Sequence, residues 1–236
     1  MSFSVHYDDW LTAVMRRHVF RVQGSGDAGA IEAHVRDQAR AFYFAKVATD
    51  RVFDVQALSA LGFVVVDTNV TFELAREIPL SPEIDVVELD PADTAGADAA
   101  LAIAGSAFRY SRFHLDPQIG LDLAHHVKRE WIANYVKRAR GEPLLLARYN
   151  GRVLGFLAPI IAHGTAVIDL VAVAADANGR GVGSALCAAF AHRYRDMPCI
   201  VGTQIANVPS IRLYTKLGFV FSKSSYVLHL HHGDAS

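Results

Sequence analysis

Two stretches of this chain, 156 residues apart, repeat one pattern. Ala57-Leu58-Ser59-Ala60-Leu61-Gly62-Phe63-Val64 is echoed by Leu213-Tyr214-Thr215-Lys216-Leu217-Gly218-Phe219-Val220, and the offset from Gly62 to Gly218 holds on either side without a gap. Upstream, the residues 42–47 fall opposite 198–203; downstream, 64–74 fall opposite 220–230. Each copy reads as a strand, a loop, a short helix ending in Leu-Gly-Phe, then an alternating strand. The local physics is simple: Leu packs the last helical turn, Gly takes the left-handed position after it, and Phe starts the strand by burying its ring. Two such units in register point to a duplicated half-fold.

Pro79-Leu80-Ser81-Pro82 interrupts regular structure and divides the chain into a degenerate N-terminal unit, 1–80, and a second unit, 81–236. In the second unit a strand is expected at 86–90, then a helix capped by Asp90-Pro91-Ala92-Asp93 and running to about Gly105. A loop from Ser106 to Pro117 precedes a helix from about Ile119 to Arg140, whose apolar positions Ile119, Leu123, Val127, Trp131 and Tyr135 recur every four residues. Strands at 144–149 and 152–161 flank Asn150-Gly151, a strong hairpin signal. Then come a strand (165–174), a helix (184–195), a strand (199–204), a helix (210–217) and a last strand (219–230). The fold class is α/β with α+β character: a mixed central sheet with flanking helices.

Composition narrows the function classes. At 236 residues the chain holds one domain or two, and 52% apolar residues suffice for a real core. A net charge of −1 lacks the basic excess of a nucleic-acid binder. The first residues are polar with no secretory core, and no apolar run reaches the roughly 18 residues of a membrane span, so a cytoplasmic protein is expected. Two cysteines, Cys187 and Cys199, make no disulfide framework. His125 and His126 point about 100° apart on a helix and cannot easily share an ion. His229, His231 and His232 have no carboxylate or cysteine partner in the pattern and read as surface or tail histidines, so no metal is assigned.

The chemistry-bearing segment is Asn178-Gly179-Arg180-Gly181-Val182-Gly183-Ser184-Ala185-Leu186, between an apolar strand and a helix. Its glycines let backbone N–H groups approach a ligand, and the helix start adds free N–H groups and a dipole, which together suit a pyrophosphate. The spacing is not the Rossmann fingerprint, since Ser184 stands where a third glycine belongs, and there is no Gly-Lys-Ser/Thr of a P-loop. The segment resembles motif A of GNAT acetyltransferases, Arg/Gln-x-x-Gly-x-Gly/Ala: Gly181 and Gly183 match, and Asn178 departs. The stretch from Asn207 through Tyr214 to Leu217-Gly218-Phe219 resembles motif B of the same superfamily.

The resemblance implies a GNAT fold preceded by a degenerate half-GNAT domain, and acetyl-CoA as cofactor. It places the coenzyme's pyrophosphate on Gly179, Arg180, Gly181, Val182, Gly183 and Ser184, with Asn178 beside them. Asn207 contacts the pantetheine arm or a bound water. Chemistry adds the roles. An amine attacks a thioester, backbone N–H groups of Leu170, Val171 or Val173 steady the carbonyl oxygen, and the leaving thiolate needs a proton. Tyr214, with an ordinary pKa near 10, can supply it. Leu58 holds the matching place in the N-terminal copy and cannot. The base is open between Asp169, with Leu170 turned to the opposite face, and a water chain. Cys187 and Cys199 lack a basic neighbour and are set aside.

The acceptor region is expected in Ser106–Pro117 and the helix after it, with Phe108, Arg112, Phe113, His114, Trp131 and Asn134. Arginine forks suit phosphate oxygens, and aromatic faces suit a base or sugar ring. Ser111-Arg112-Phe113-His114-Leu115-Asp116-Pro117, Trp131-Ile132-Ala133-Asn134 and the N-terminal half ending in Leu-Gly-Phe are similar to the dTDP-fucosamine acetyltransferase family. That similarity implies a TDP-linked 4-amino-4,6-dideoxyhexose as acceptor and a homodimer. Acetylation of another small amine (amino acid, polyamine or antibiotic) and non-catalytic acyl-CoA binding are the alternatives.

Overall fold

A computed structural model describes residues 2–80 and 83–233. Ser81 and Pro82 of the expected break lie outside the described residues. The N-terminal part runs β1 (Phe3–Tyr7), α1 (Asp9–Met15), β2 (His18–Gly24), α2 (Gly29–Arg36), β3 (Ala41–Ala48), α3 (Val52–Ala60) and β4 (Val64–Leu74). The C-terminal part continues with β5 (Asp85–Glu88), α4 (Thr94–Ala104), α5 (Arg112–Leu115), α6 (Leu121–Val136), β6 (Leu145–Tyr149), β7 (Arg152–Ala162) and β8 (Thr165–Val173). It closes with α7 (Val182–Arg193), β9 (Cys199–Gln204), α8 (Val208–Leu217) and β10 (Phe219–His232). No helix among the described residues is long and apolar enough to cross a membrane.

The expected signals act where they stand. Asp8 and Asp93 cap α1 and α4 by accepting from Leu11 N at 2.8 Å and Gly96 N at 2.9 Å. Gly62 and Gly218 both take left-handed φ, 92° and 93°, after their helices. α6 starts later than the apolar spacing suggests, at Leu121, leaving Ile119 in the preceding loop, which itself contains α5.

The ten strands form one mixed sheet in the order β1-β2-β3-β10-β4-β9-β8-β7-β6-β5. β4 does not lie beside β3: it sits between β10 and β9, and β10 sits between β3 and β4. The repeat is carried into this register. Asn69 pairs with Ser225, its own counterpart 156 residues on. Around that pair, Tyr226–Thr68 mirrors Ser224–Val70, and Val220–Glu73 mirrors His229–Val64. The same exchange turns Ser225–Ala48 of β10 and β3 into Asn69–Gln204 of β4 and β9. Even the slips in register correspond, with Ser222 extra on β10 and Val66 extra on β4. Each half thus lends its last strand to the other. A cut between β4 and β5 would leave a one-strand gap in both halves, with unpaired edges on either side.

α2, α3, α7 and α8 cover one face of the sheet; α1, α4, α5 and α6 cover the other. Along β3, Phe42 joins the α1–α6 side while Tyr43 and Ala45 join the α3 side, as a period of two requires.

The histidines near the C-terminus are not a tail. β10 runs through them, and His229 is 0% exposed. His229 Nδ1 (2.6 Å) and His231 Nε2 (2.8 Å) both donate to Asp116 Oδ2 in the loop after α5, and Arg17 Nη1 donates to His231 Nδ1 at 3.1 Å. Burial would raise the Asp116 carboxyl, but the two imidazole hydrogen bonds outweigh it and hold it well below the usual range. Burial lowers His229 to about 4, so it is neutral. The partners lie 113 residues apart in sequence, which is why no local spacing reveals them.

Candidate active site

β8 and β9 are parallel and pair only briefly, Ala166–Cys199, Val167–Ile200 and Ile168–Val201. Beyond that point β8 continues to Val173 and β9 to Gln204 without pairing to each other, so a cleft opens between them. A slip in register opposite Pro159 and Ala158 leaves Asp169 as an extra residue on β8. This overturns the expected opposition of Asp169 and Leu170. Before the bulge, Ala166 and Ile168 face α7; after it, Val171 and Val173 do, while Leu170 and Ala172 face α6.

At the mouth of the cleft stands the glycine loop. Gly179 and Gly181 have φ of 78° and 80°, and a Cβ on either would meet only open space, so the requirement there is conformational. Gly183 differs: a Cβ would lie 3.1 Å from Leu213 Cδ2 of α8, so α8 packs close enough that any larger residue would have to push that side chain aside. Gly181 is the N-cap of α7 and no side chain caps the helix. The N–H groups of Val182, Gly183 and Ser184 therefore have no acceptor within the helix, beside an exposed loop. Asn178 Nδ2 donates to Ala175 O at 3.2 Å, so it staples its own turn. Asn207 Oδ1 accepts from Ser210 N at 3.3 Å, capping α8, and its Nδ2 donates to Thr203 Oγ1 at 3.1 Å.

Tyr214 is 2% exposed and packs against the rings of Phe72 and Phe219, with centroids 6.2 and 5.8 Å away. Burial raises its pKa well above 10, Cys187 adding to the effect and a Ser210 hydrogen bond opposing it, so the phenol stays protonated. Phe72 belongs to β4, so the N-terminal half helps to seat this residue. Burial also pushes the Cys187 thiol up to about 12, which leaves it unreactive.

Asp169 is unsuited to be the base. Its Oδ2 accepts from Trp131 Nε1 (2.9 Å), Tyr135 OH (2.6 Å) and Arg140 Nε (2.9 Å). Burial would raise the carboxyl, yet these bonds, Arg140 foremost, hold it below the usual range. It positions Trp131 and ties α6 to the bulge. Asp67 on β4 has the opposite character. It is 6% exposed, and burial raises it to about 6 against the opposing pull of the Thr68 N–H, Lys46 and the Gln204 side chain.

The expected acceptor residues separate. Phe113 is 1% exposed among Leu11, Met15 and Phe42, so it is core and offers no face to a ligand. His114 bonds Ser111 Oγ (2.6 Å) and His125 Nδ1 (3.2 Å), and burial, with His125, Lys128 and Arg109, lowers it to about 4. Phe108, Trp131, Asn134 and Arg112 are half-buried. Asp67 and Lys46 carry no sequence signal because each is a lone charge in an ordinary strand, and Lys128 and Arg140 carry none because each sits in a run of charges that reads as a solvated helix face or end. Asp116, His229 and His231 offer ligand atoms within 4.8 Å of one another. Both imidazoles already bind the carboxylate and Arg17 binds His231, so a cation would have to displace those bonds.

A parted pair of parallel strands with an uncapped, glycine-led helix at its mouth is the arrangement expected from motif A. Residues 108–219 match the model of the Acetyltransferase (GNAT) family. This segment is a GNAT acetyltransferase domain. A curated relative of this chain is the spore coat polysaccharide biosynthesis protein SpsD of Bacillus subtilis (strain 168), 30% identical over 146 residues, or 61% of this chain and 50% of that protein. The chain spans about half the length of that relative. Among solved structures, a GCN5-related N-acetyltransferase from Sphaerobacter thermophilus superposes with a TM-score of 0.66 at 12% identity, covering 99% of this chain and 77% of that one. A tandem GNAT protein from the clavulanic acid biosynthesis pathway gives 0.59 at 14% identity, over 92% and 76% of the two chains. At these identities the structures share the GNAT fold.

Proposed function

We propose that the chain transfers the acetyl group of acetyl-CoA to the amino group of a nucleotide-linked amino-dideoxy sugar. The observation that carries the transfer reaction is the uncapped N-terminus of α7 at the mouth of the β8–β9 cleft, with a protonated Tyr214 on α8, the helix whose Leu213 packs against Gly183. The sugar acceptor rests on the resemblance of Ser111–Pro117 and Trp131–Asn134 to the dTDP-fucosamine acetyltransferases. It is supported by the relative's part in polysaccharide biosynthesis.

Acetyl-CoA, when bound, supplies the acetyl group as a thioester. The α7 amides hold its diphosphate, and the β8 strand from Leu170 to Val173 offers N–H groups to the carbonyl oxygen. Tyr214 gives its proton to the departing sulfur as the C–N bond forms and the C–S bond breaks. Asp67 takes the proton the amine must lose; with a pKa of about 6 it is a carboxylate at pH 7 yet basic enough to accept one.

Three experiments test this. Gly183→Val overpacks the α7–α8 contact, so acetyl-CoA affinity falls roughly tenfold or more and stability drops by about 1–3 kcal/mol. Unchanged affinity by calorimetric titration removes the cradle. Asp67→Asn lowers kcat/KM by about 10²-fold. In the wild type kcat/KM rises with pH through about 6 as Asp67 ionises, and that limb disappears in the variant. An acid limb that survives the substitution excludes Asp67 as the base. Release of CoA thiol only with TDP-aminosugars, among a panel of amines, supports the acceptor; turnover of polyamines or amino acids instead overturns it.

A further inference from the structure

The face of the sheet under α5 and α6 carries more cations than carboxylates. Lys128 of α6 is 6% exposed and makes no hydrogen bond or ion pair among the described residues. Its Nζ instead lies over the rings of Phe108 (5.0 Å) and Trp131 (4.9 Å). Arg112 of α5 likewise has no hydrogen-bonded acceptor; its guanidinium lies over Phe44 (3.9 Å) and Phe113 (4.5 Å). Lys46 of β3 donates to Asn69 Oδ1 at 2.6 Å, next to an exposed Lys223 on β10.

These groups feel one another. Burial lowers Lys128 to about 8, and Arg112 and Arg140 push in the same direction against Asp169. Burial lowers Arg112 to about 10, with only Asp8 opposing. Burial lowers Lys46 too, and Lys223 and Arg112 add to it against Asp67. The linked set is five cations (Arg112, Lys128, Arg140, Lys46 and Lys223) and three carboxylates (Asp8, Asp67 and Asp169), an excess of two positive charges. A buried cation without a partner is costly, and aromatic faces recover only about 0.5–2 kcal/mol of that cost each. Ionisable groups perturbed by burial and by one another cluster at functional sites. The diphosphate of a nucleotide-linked sugar carries two negative charges and, with a base and a sugar ring at its ends, fits both the excess and the flanking aromatic rings.

We propose that Arg112 and Lys128, with Lys46 on the sheet floor, form an anion subsite that grips the diphosphate of the acceptor, on the opposite side of the sheet from the α7 cradle. This rests on the nucleotide-sugar reading above and names the residues that enforce it. The experiment is titration of the full-length chain, saturated with CoA so that the α7 cradle is filled, with thymidine diphosphate and with inorganic pyrophosphate. Thymidine diphosphate should bind. Arg112→Met and Lys128→Met should each weaken it roughly tenfold or more, with CoA affinity unchanged as the check on folding. In the wild type, affinity should fall as pH rises through about 8, where Lys128 loses its proton, and Lys128→Arg should flatten that fall. The last readout needs no destabilising variant. Absent binding, or wild-type affinity in both Met variants, overturns the subsite. Acetylation of TDP-aminosugars with KM unmoved in those variants overturns the subsite alone. Thymidine diphosphate binding that the variants abolish, with no TDP-aminosugar turnover, supports the subsite and refutes the acceptor.

Discussion

Tyr214→Phe lowers kcat by about 10²–10⁴-fold while leaving acetyl-CoA affinity unchanged. The ring is 2% exposed between Phe72 and Phe219, and phenylalanine fills the same space, so packing is kept and only the hydroxyl is lost. A buried hydroxyl of this kind contributes about 1 kcal/mol of stability, too little to unfold the chain. The proton donor is what disappears. Burial keeps Tyr214 protonated at every practical assay pH, so it contributes no basic limb to the wild-type profile. A fall in rate above pH 8 belongs to Lys128, and shows in KM for the acceptor instead of kcat. Single-turnover release of CoA thiol separates the two, and an unaffected rate in the variant removes the acid role from Tyr214.

Asp169→Ala destabilises the chain by about 3 kcal/mol. One carboxylate oxygen accepts from Trp131, Tyr135 and Arg140, and its removal strands a buried phenol and an indole N–H on α6. Arg140 is partly exposed and can turn to water, so the loss stays below that of a fully buried ion pair. At about 2–4 °C per kcal/mol for a chain of this size, the melting temperature drops by about 6–12 °C. Trp131 also loses its anchor, so KM for the acceptor rises more than kcat falls; a base at this position would give the reverse. The pH sign is definite. The folded carboxyl is held below its unfolded pKa of about 3.9, so the stabilisation is present above that value and is lost as pH falls through the folded one. Thermal melts of wild type and variant should therefore converge in acid; equal melting temperatures at pH 7 contradict the anchoring role.

Much of the C-terminal half is legible locally. Asn150-Gly151, Gly179, Gly181 and Gly218 act through their own backbone preferences and Asp93 through a local side-chain cap, so pattern and outcome agree. The bulge at Asp169 is not legible: one extra residue against Pro159 depends on the partner strand, and it moves a candidate base into a web of donors. Asp116 with His229 and His231 fails for the same kind of reason, since the partners meet only when the loop after α5 folds over β10.

The repeat by itself required two related halves, each ending helix, Leu-Gly-Phe, strand, because glycine's left-handed conformation and the period-two strand are local physics. It left open how the halves join. Only the assembled sheet decided that β4 and β10 exchange places about the Asn69–Ser225 pair, since strand order follows from which edges can be hydrogen-bonded and buried together. That exchange brings Phe72 to Tyr214, and puts Asp67 and Lys46 on the face covered by α5 and α6.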